Sequence, residues 1–416
     1  METKRYQPPV EFIDLVQKSS FWVRWMGTSM GIWPVEHVSI RPQWYRKLYY
    51  FMLLALWYNT YVQIEFLFHN LKTLNLAVQS LCSLCSISSA IFKVMRLHAY
   101  ENEIRDIWQT LENVTVLKEL HFLRKSDSDT IFGRINKQLM RQWKEVHFNL
   151  RFYNLMVGLV ACNYSIIPFC SNLYNQLKGR EFNRSFVYRT YYRSMELLKY
   201  RSPLFEVLFC SESLSGYTTW ASMVAFDGLY VVMVLNAVSL LRLLGDFMRE
   251  TTNSGFTERE KIFFQRECIR YHIKVIRLVE KLNEIFAPVL LVQLLTSTSI
   301  ICVIAFAASS QSNASDSQTM LMVLYLITAI YQLFQFCWYG QRFQNESFKL
   351  PQAVYDAEWE QCAKQFNTTH HILLLYSQRQ LDMRAWNFSA MSLETFSTII
   401  RSAVSYFTVL QTLAEE

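Results

Sequence analysis

MSLETFSTIIRSAVSYFTVLQTL, the stretch from Met391 to Leu413, is apolar enough to enter a membrane, yet it carries Arg401 and many hydroxyl groups. At helical spacing its residues divide between two sides. One stripe consists of Ser402, Tyr406, Val409 and Leu413. The other sides carry mostly apolar residues, namely Ile399, Ile400, Ala403, Phe407 and Leu410. Because unpaired polar groups are costly in hydrocarbon, we expect this helix to line water or another subunit. We interpret it as a pore-lining helix.

The composition of the chain is typical of a membrane protein. Of its 416 residues only 18% are charged, against about 25% in soluble domains. Charge-free windows lie between Arg151 and Lys178, from Phe286 to Ser315, and from Ser317 to Gln341. Each window exceeds the roughly 20 residues that cross a bilayer. A buried helix in a soluble protein could explain one such window but not several. The charged N-terminus does not read as a cleavable signal peptide.

The hydropathy pattern predicts an all-α polytopic fold with seven transmembrane helices. The fifth is expected to be one long helix that begins near Glu258, outside the bilayer, and ends inside it near Ser309. The other six spans are expected at about 48–68, 74–92, 152–174, 214–244, 320–339 and 391–413. Four parts follow: residues 1–45 with a possible re-entrant helix, residues 46–344 with helices one to six, a cytosolic anchor at 345–390, and the last helix at 391–416.

The distribution of Lys and Arg favours a cytosolic N-terminus, which places the C-terminus outside after seven spans. Most basic residues then fall in inner segments. The segment from Gln176 to Arg201 breaks this rule, since it is basic and would lie outside.

Two motifs resemble those of a known family. The stretch from Cys337 to Trp359 reads CWYGQRFQNESFKLPQAVYDAEW, and SLETF begins the last helix. Both resemble the C-terminal third of insect odorant receptors, and His272–Ile300 resembles their fifth helix. The resemblance implies a subunit of a ligand-gated, non-selective cation channel in the plasma membrane of olfactory neuron dendrites. It also implies a heterotetramer with co-receptor subunits. The short segment between helices four and five indicates the odorant-tuning subunit rather than the co-receptor.

The resemblance also assigns roles to residues of the last helix. Val409 and Leu413 fall on the gate positions of the family, where apolar rings close a pore by dewetting. The remaining pore candidates are Gln411, Thr412, Tyr406 and Ser402. Helix–helix packing is the alternative reading of this stripe. Arg401 is expected to pair with Glu394 or with a neighbouring subunit. Tyr355 and Trp359, four residues apart, are expected to pack together and assist assembly.

The family places a mainly apolar odorant pocket among helices two, three, four and six, in the outer half of the membrane. Asn163 and Tyr217 could supply hydrogen bonds to a small volatile ligand. The candidate lining residues are Ser80, Leu84, Asn163, Ile166, Ile167, Tyr217, Thr218, Ala221, Met320 and Val323.

Several other signals leave alternatives open. Asn183 and Asn313 begin glycosylation sequons in expected outer loops, and Cys170 and Cys210 could be joined across the outer side. Asp227, inside the fourth span, is either a functional residue or an inward hydrogen-bonding one. The sequence contains no catalytic, metal or cofactor motif, so we expect neither an enzyme nor a nucleic-acid partner. We expect membrane lipid to surround the spanning helices. The alternatives to an odorant receptor are a gustatory receptor, a G-protein-coupled receptor and a transporter.

Overall fold

The structure is a computed structural model. It describes residues 9–33, 43–71, 74–112, 128–178, 184–193, 195–252, 256–310 and 316–415, apart from a few helical side chains such as that of Leu413. Ten helices are described. They are α1 (Val10–Ser29), α2 (Gln43–His69), α3 (Leu74–Ala99), α4 (Glu101–Glu112), α5 (Ser128–Leu177), α6 (Leu204–Glu250), α7 (Glu258–Ser310), α8 (Asp316–Tyr355), α9 (Lys364–Ser377) and α10 (Leu393–Glu415).

Helix α6 forms the centre of the molecule. It contacts α1, α2, α3, α5, α7 and α8, and its side chains are buried on all sides through its middle. A helix that is apolar all round must be covered all round, which explains its central position. Aromatic rings fill the space between α6, α7 and α8. The ring centroids of Tyr230 lie 5.3 Å from Phe286 and 4.9 Å from Phe336.

The helices are longer than the expected spans. The prediction of one long fifth helix is confirmed by α7, which is continuous over 53 residues. Likewise α5 and α8 extend well beyond their apolar windows into charged sequence. Among the described residues, five helices are long and apolar enough to cross a membrane, namely α3, α5, α6, α7 and α8. The first and last expected spans, α2 and α10, are not among these five. Tyrosine, asparagine and glutamine in α2, and serine, threonine and Arg401 in α10, lower their hydropathy.

The N-terminal segment, for which the sequence predicted a possible re-entrant helix, forms a helix that packs against the other helices. Its helix α1 is 20 residues long and packs against α5 and α6. The rings of Phe12 and Trp143 meet edge to face at 6.4 Å. A Cβ atom at Gly228 of α6 would lie 2.6 Å from Val23, so only glycine allows α1 to approach this closely. The segment is therefore part of the protein core.

A small hairpin, which an all-α fold does not include, joins α9 to α10. Strand β1 (Arg384–Ala385) pairs antiparallel with β2 (Ser389–Ala390). Trp386 takes a positive φ of 51° in the turn between them. Where the hairpin ends, a Cβ atom at Gly340 of α8 would overlap the Met391 backbone. The chain therefore enters α10 in direct backbone contact with α8.

Candidate functional site

A cavity of about 740 Å³ lies between the central helices. Its walls come from α3, α5, α6, α7 and α8, with Phe66 of α2, and residues 184–193 and 195–200, here called the outer loop, cover one end. Typical small-ligand pockets measure about 300–1,000 Å³ and are mostly apolar with a few polar groups. The lining fits this description, since aliphatic residues such as Val157, Ile304 and Leu321 alternate with Tyr164, Trp220 and Tyr325. The cavity can hold a small, mainly apolar molecule.

None of the ten residues predicted to contact the ligand lines this cavity. The four predicted helices do line the cavity, but through other faces, and α7 adds a wall that was not predicted. On α5, for example, Ala161 and Tyr164 line the cavity, whereas Ile166 and Ile167 are exposed on the outside. Successive helical residues point about 100° apart, so an error of one position turns a side chain out of the site.

The other predicted ligand residues are engaged elsewhere. The Tyr217 hydroxyl donates to Ser29 Oγ at 2.7 Å, and Asn163 Nδ2 donates to the Leu159 carbonyl at 2.7 Å. Met320 and Val323 are exposed on the outer side of α8. The remaining four are buried in helix packing: Ser80, Leu84, Thr218 and Ala221.

A buried ion pair lies next to the end of the cavity opposite the outer loop. Lys93 Nζ of α3 lies 2.7 Å from Asp227 Oδ1 of α6, and both side chains are fully buried. Asp227 Oδ2 accepts hydrogen bonds from the Tyr153 hydroxyl at 2.5 Å and from Gln332 Nε2 at 2.6 Å. Tyr153 and Gln332 line the cavity, and we call them its floor. Of the two roles that the sequence left open for Asp227, inward hydrogen bonding is the one observed.

The sequence pointed to Asp227 but not to its partner. Lys93 directly follows Phe92, the expected end of the second span, and therefore falls outside that span. In the structure α3 continues to Ala99, and Lys93 lies over the rings of Phe226 and Phe336 at 6.0 and 5.8 Å. An intramembrane carboxylate requires a partner. The position of Lys93 directly after the predicted end of a span is the sequence signal that could have identified it as the partner of Asp227.

The outer loop is held over the cavity by Glu212, a fully buried carboxylate of α6. It accepts hydrogen bonds from the backbone N–H groups of Val187 and Tyr188 at 2.9 and 3.1 Å. The hydroxyls of Thr190 and Tyr192 each donate to it at 2.8 Å. Burial, and then the nearby Glu212 carboxylate, raise the pKa of Tyr192, which therefore remains a donor. The Glu212 carboxylate thus holds four residues of the outer loop in place.

The two sides predicted for the last helix differ in their packing. Ile399, Ile400, Phe407 and Leu410 pack against the core of their own chain, and Ala403 is buried. Tyr406, Val409, Gln411 and Thr412 are exposed, and Ser402 is partly so. The side chain of Leu413 lies outside the described residues. The exposed stripe has no cover within this chain among the described side chains.

Arg401 is exposed on α10, and its Nε donates to the Ser397 carbonyl at 3.3 Å. In the described part of the chain no ion pair joins it to Glu394. Pairing within the chain is therefore not observed. A partner on another subunit remains a prediction.

Tyr355 and Trp359 do not share a helix face. Helix α8 ends at Tyr355, which is exposed, and Trp359 begins a separate 3₁₀ turn (Trp359–Gln361). The Trp359 ring stacks on His370 at 5.6 Å and meets His371 edge to face at 4.9 Å. The predicted pairing is wrong because the helix stops between the two residues.

The structure bears on the predicted cysteine pair but not on the two glycosylation sequons. Asn183 and Asn313 lie outside the described residues. Cys170 and Cys210 are free, exposed thiols, so the structure does not join them.

Comparison with known proteins gives a family match over most of the chain. The description of the family named 7tm Odorant receptor matches residues 73–404. Odorant receptor 63a of Drosophila melanogaster is 23% identical over 357 residues, which are 83% of this chain and 82% of that protein. The odorant receptor coreceptor of Aedes aegypti is 29% identical over 178 residues, which are 42% of this chain and 37% of that protein.

The fold matches a solved structure over almost its whole length. The insect olfactory receptor OR5 from Machilis hrabei, in complex with eugenol, superposes with a TM-score of 0.71 at 15% identity. The match covers 97% of this chain and 100% of that one. At this identity the likeness concerns the fold alone.

Proposed function

Since this chain belongs to the insect odorant receptor family, as its C-terminal motifs predicted, we propose that it is the odorant-binding subunit of a ligand-gated cation channel. The cavity beneath the outer loop carries this proposal. Its volume and its mainly apolar lining suit a small volatile molecule with few polar groups. The family match favours this function over the gustatory receptor alternative.

The cavity, rather than the ten residues first predicted, is the proposed odorant site. Ligand selectivity then depends on its aromatic and hydroxyl-bearing lining, above all Tyr153, Tyr164, Trp220 and Tyr325. These residues lie on α5, α6 and α8, so a bound odorant contacts three long helices at once.

The exposed stripe of α10 is the proposed pore lining. One such helix cannot enclose water, so several copies must surround an axis. Val409 and Leu413 then form apolar rings that hold the closed pore dry, and Gln411 and Thr412 lie near the ion path. The packing of Ile399, Ala403 and Phe407 against their own chain supports this orientation, because it leaves the opposite side for the pore.

The proposed assembly is a heterotetramer with co-receptor subunits in the plasma membrane of olfactory neuron dendrites. The chain aligns with 82% of odorant receptor 63a, against 37% and 58% of two co-receptors, which supports the tuning role. Seven spans, a cytosolic N-terminus and an extracellular C-terminus complete the proposal. Residues 345–390, with Trp359, would then pack subunits together on the cytosolic side.

The test is current recording from cells that express this chain, the co-receptor, or both, during exposure to a panel of volatile compounds. We expect odorant-evoked cation current only with both chains. A second-messenger response that depends on a G protein would overturn the proposal. So would odorant-evoked current of the same ligand profile from the co-receptor alone.

A matched pair of variants on α5 tests the cavity. Ala161→Trp fills it from the lining, whereas Leu155→Trp adds the same ring on the exposed outer side. We expect the first variant to lose odorant-evoked current while the second keeps it, with equal amounts of both at the cell surface. Equal responses from the two variants would place the odorant elsewhere.

A further inference from the structure

The floor of the cavity has a fixed hydrogen-bond polarity. Asp227, in an ion pair with Lys93, is an acceptor only. Its Oδ2 atom takes the hydroxyl hydrogen of Tyr153 at 2.5 Å and an amide hydrogen of Gln332 at 2.6 Å. Both hydrogens are thus directed out of the cavity and into the protein.

A second contact fixes the Gln332 amide. Gln293 Nε2 of α7 donates to Gln332 Oε1 at 3.1 Å and to Ser297 Oγ at 2.9 Å. With its oxygen held by Gln293 and its nitrogen by Asp227, the Gln332 amide has one orientation. Five helices meet in this network, which is buried throughout.

At the floor of the cavity, the Tyr153 oxygen keeps acceptor capacity for a ligand. A tyrosine hydroxyl has one hydrogen and can also accept. With the hydrogen given to Asp227, only its acceptor capacity faces the cavity that it lines. A ligand that donates a hydrogen bond is therefore favoured at the floor, and one that can only accept meets an oxygen with no hydrogen to give.

We propose that Asp227, held by Lys93, is a positioning residue that makes the cavity floor a hydrogen-bond acceptor, so that odorants bearing a hydroxyl group are the preferred ligand class. This inference rests on the proposed function, because it assumes that the odorant binds in this cavity.

Isomeric alcohols and ethers test the preference at constant size. Suitable pairs are hexanol with methyl pentyl ether, octanol with heptyl methyl ether, and benzyl alcohol with anisole. A neutral hydrogen bond contributes about 1 kcal/mol, so the alcohol of an active pair should act at a half-maximal concentration about five- to tenfold lower. Ethers that match or exceed their alcohols would overturn the inference. So would activation by other odorants with no response to any of the alcohols.

Two variants locate the cause of the preference. Tyr153→Phe removes the accepting oxygen, and Tyr174→Phe is its control, since Tyr174 is exposed on the same helix and does not line the cavity. We expect the alcohol preference to vanish in the first and to persist in the second. A preference that survives Tyr153→Phe would overturn the inference.

A double variant separates positioning from structural support. Lys93→Met with Asp227→Leu removes the acceptor and leaves no unpaired buried charge, which proteins often tolerate. The released Tyr153 hydroxyl can then donate into the cavity, so the alcohol preference should fall toward parity, whereas a merely structural role would leave the ratio unchanged. The exposed pair Lys18 and Asp14, changed in the same way, is the control for expression. If the double variant does not reach the cell surface, Tyr153→Phe still decides.

Failure of this inference is distinguishable from failure of the proposed function. Odorant-evoked current with no alcohol preference refutes only the polarity of the floor. Loss of odorant specificity for the whole panel, or current that Ala161→Trp does not affect, refutes the cavity itself and the inference with it.

Discussion

His370 is a buried histidine in α9, a helix outside the candidate membrane spans. Its Nε2 lies 2.9 Å from the Val354 carbonyl oxygen, and its ring stacks between Trp359 and Phe366. Burial, and to a lesser degree the neighbouring His371, lower its pKa, while the contact with Val354 acts in the opposite direction. The unfolded chain, with an ordinary histidine pKa near ~6.5, therefore binds this proton more readily.

The folded state should consequently lose stability in acid. The loss begins as the pH falls through about 6.5 and is complete below the lowered pKa of the folded protein. We expect the thermal unfolding midpoint of the purified protein to drop between pH 7.5 and pH 5.5, conditions chosen to bracket ~6.5, and to drop less in His370→Gln. His69→Gln, at an exposed histidine of α2, is the control. Equal acid sensitivity of the wild type and His370→Gln would contradict the prediction.

Gly158 sets the position of a cavity wall. A Cβ atom there would lie 3.1 Å from Trp220 Cζ2, so any side chain must displace this ring, whose Nε1 donates to Asn154 Oδ1 at 3.2 Å. Overpacking of this kind costs about 1–3 kcal/mol. Gly158→Val should therefore reduce the potency of the bulkiest active odorants about tenfold in dose–response recordings. Gly133→Val, at a site with no atom within 4 Å, should leave potency unchanged.

At the scale of one element, the exposed stripe of α10 yields a prediction for the gate. Replacing the apolar side chain of Val409 with glutamine should wet a closed constriction and raise the resting leak current several-fold. Val404 is equally exposed, at 54% against 52%, but lies about 140° around the helix. Val404→Gln is therefore a matched control, and the measurement is resting conductance at equal surface expression. A similar leak from both variants would remove the stripe from the pore.

Sequence periodicity could predict the faces of α10 but not those of the cavity helices. In α10 the packed side is apolar, whereas the free side carries Arg401 and most of the hydroxyl groups, so the two sides differ in chemistry. In α5 and α8 both the outer surface and the cavity wall are apolar, as Ile166 and Ala161 show. Lipid tails are as apolar as leucine, so the pattern has no contrast to follow. The sequence therefore identified four of the five long helices that line the cavity, but not the faces that line it.

For the whole molecule, orientation is the main prediction that follows from the sequence. An epitope tag at the N-terminus should be detected only after permeabilisation of the cells, whereas a tag at the C-terminus should be detected on intact cells. The reason is the concentration of Lys and Arg in the segments assigned to the cytosol. Labelling of the N-terminal tag on intact cells would contradict it, and a cytosolic reporter protein is the control for membrane integrity.

The long helices could be foreseen, but several of their ends could not. Charged sequence after an apolar window suggests a boundary, yet α3 continues through Lys93 and α8 continues to Tyr355. Tertiary contacts compensate these charges, as with Lys93 and Asp227, or with Glu346 and Arg242 at 2.5 Å. Such partners lie far apart in sequence. No local sequence pattern identifies such partners.

The backbone contact at Gly340 fixes the base of the last helix against α8, so we expect any tilt of α10 to occur about this point. Met391 is pinned there against α8, and Phe396 meets Phe334 of the same helix at 5.6 Å. From Met391 to Val409 the chain rises about 27 Å, so a tilt of about 5° at the base displaces Val409 sideways by about 2 Å. A small tilt at the base of α10 therefore moves Val409 by a distance close to the size of a water molecule.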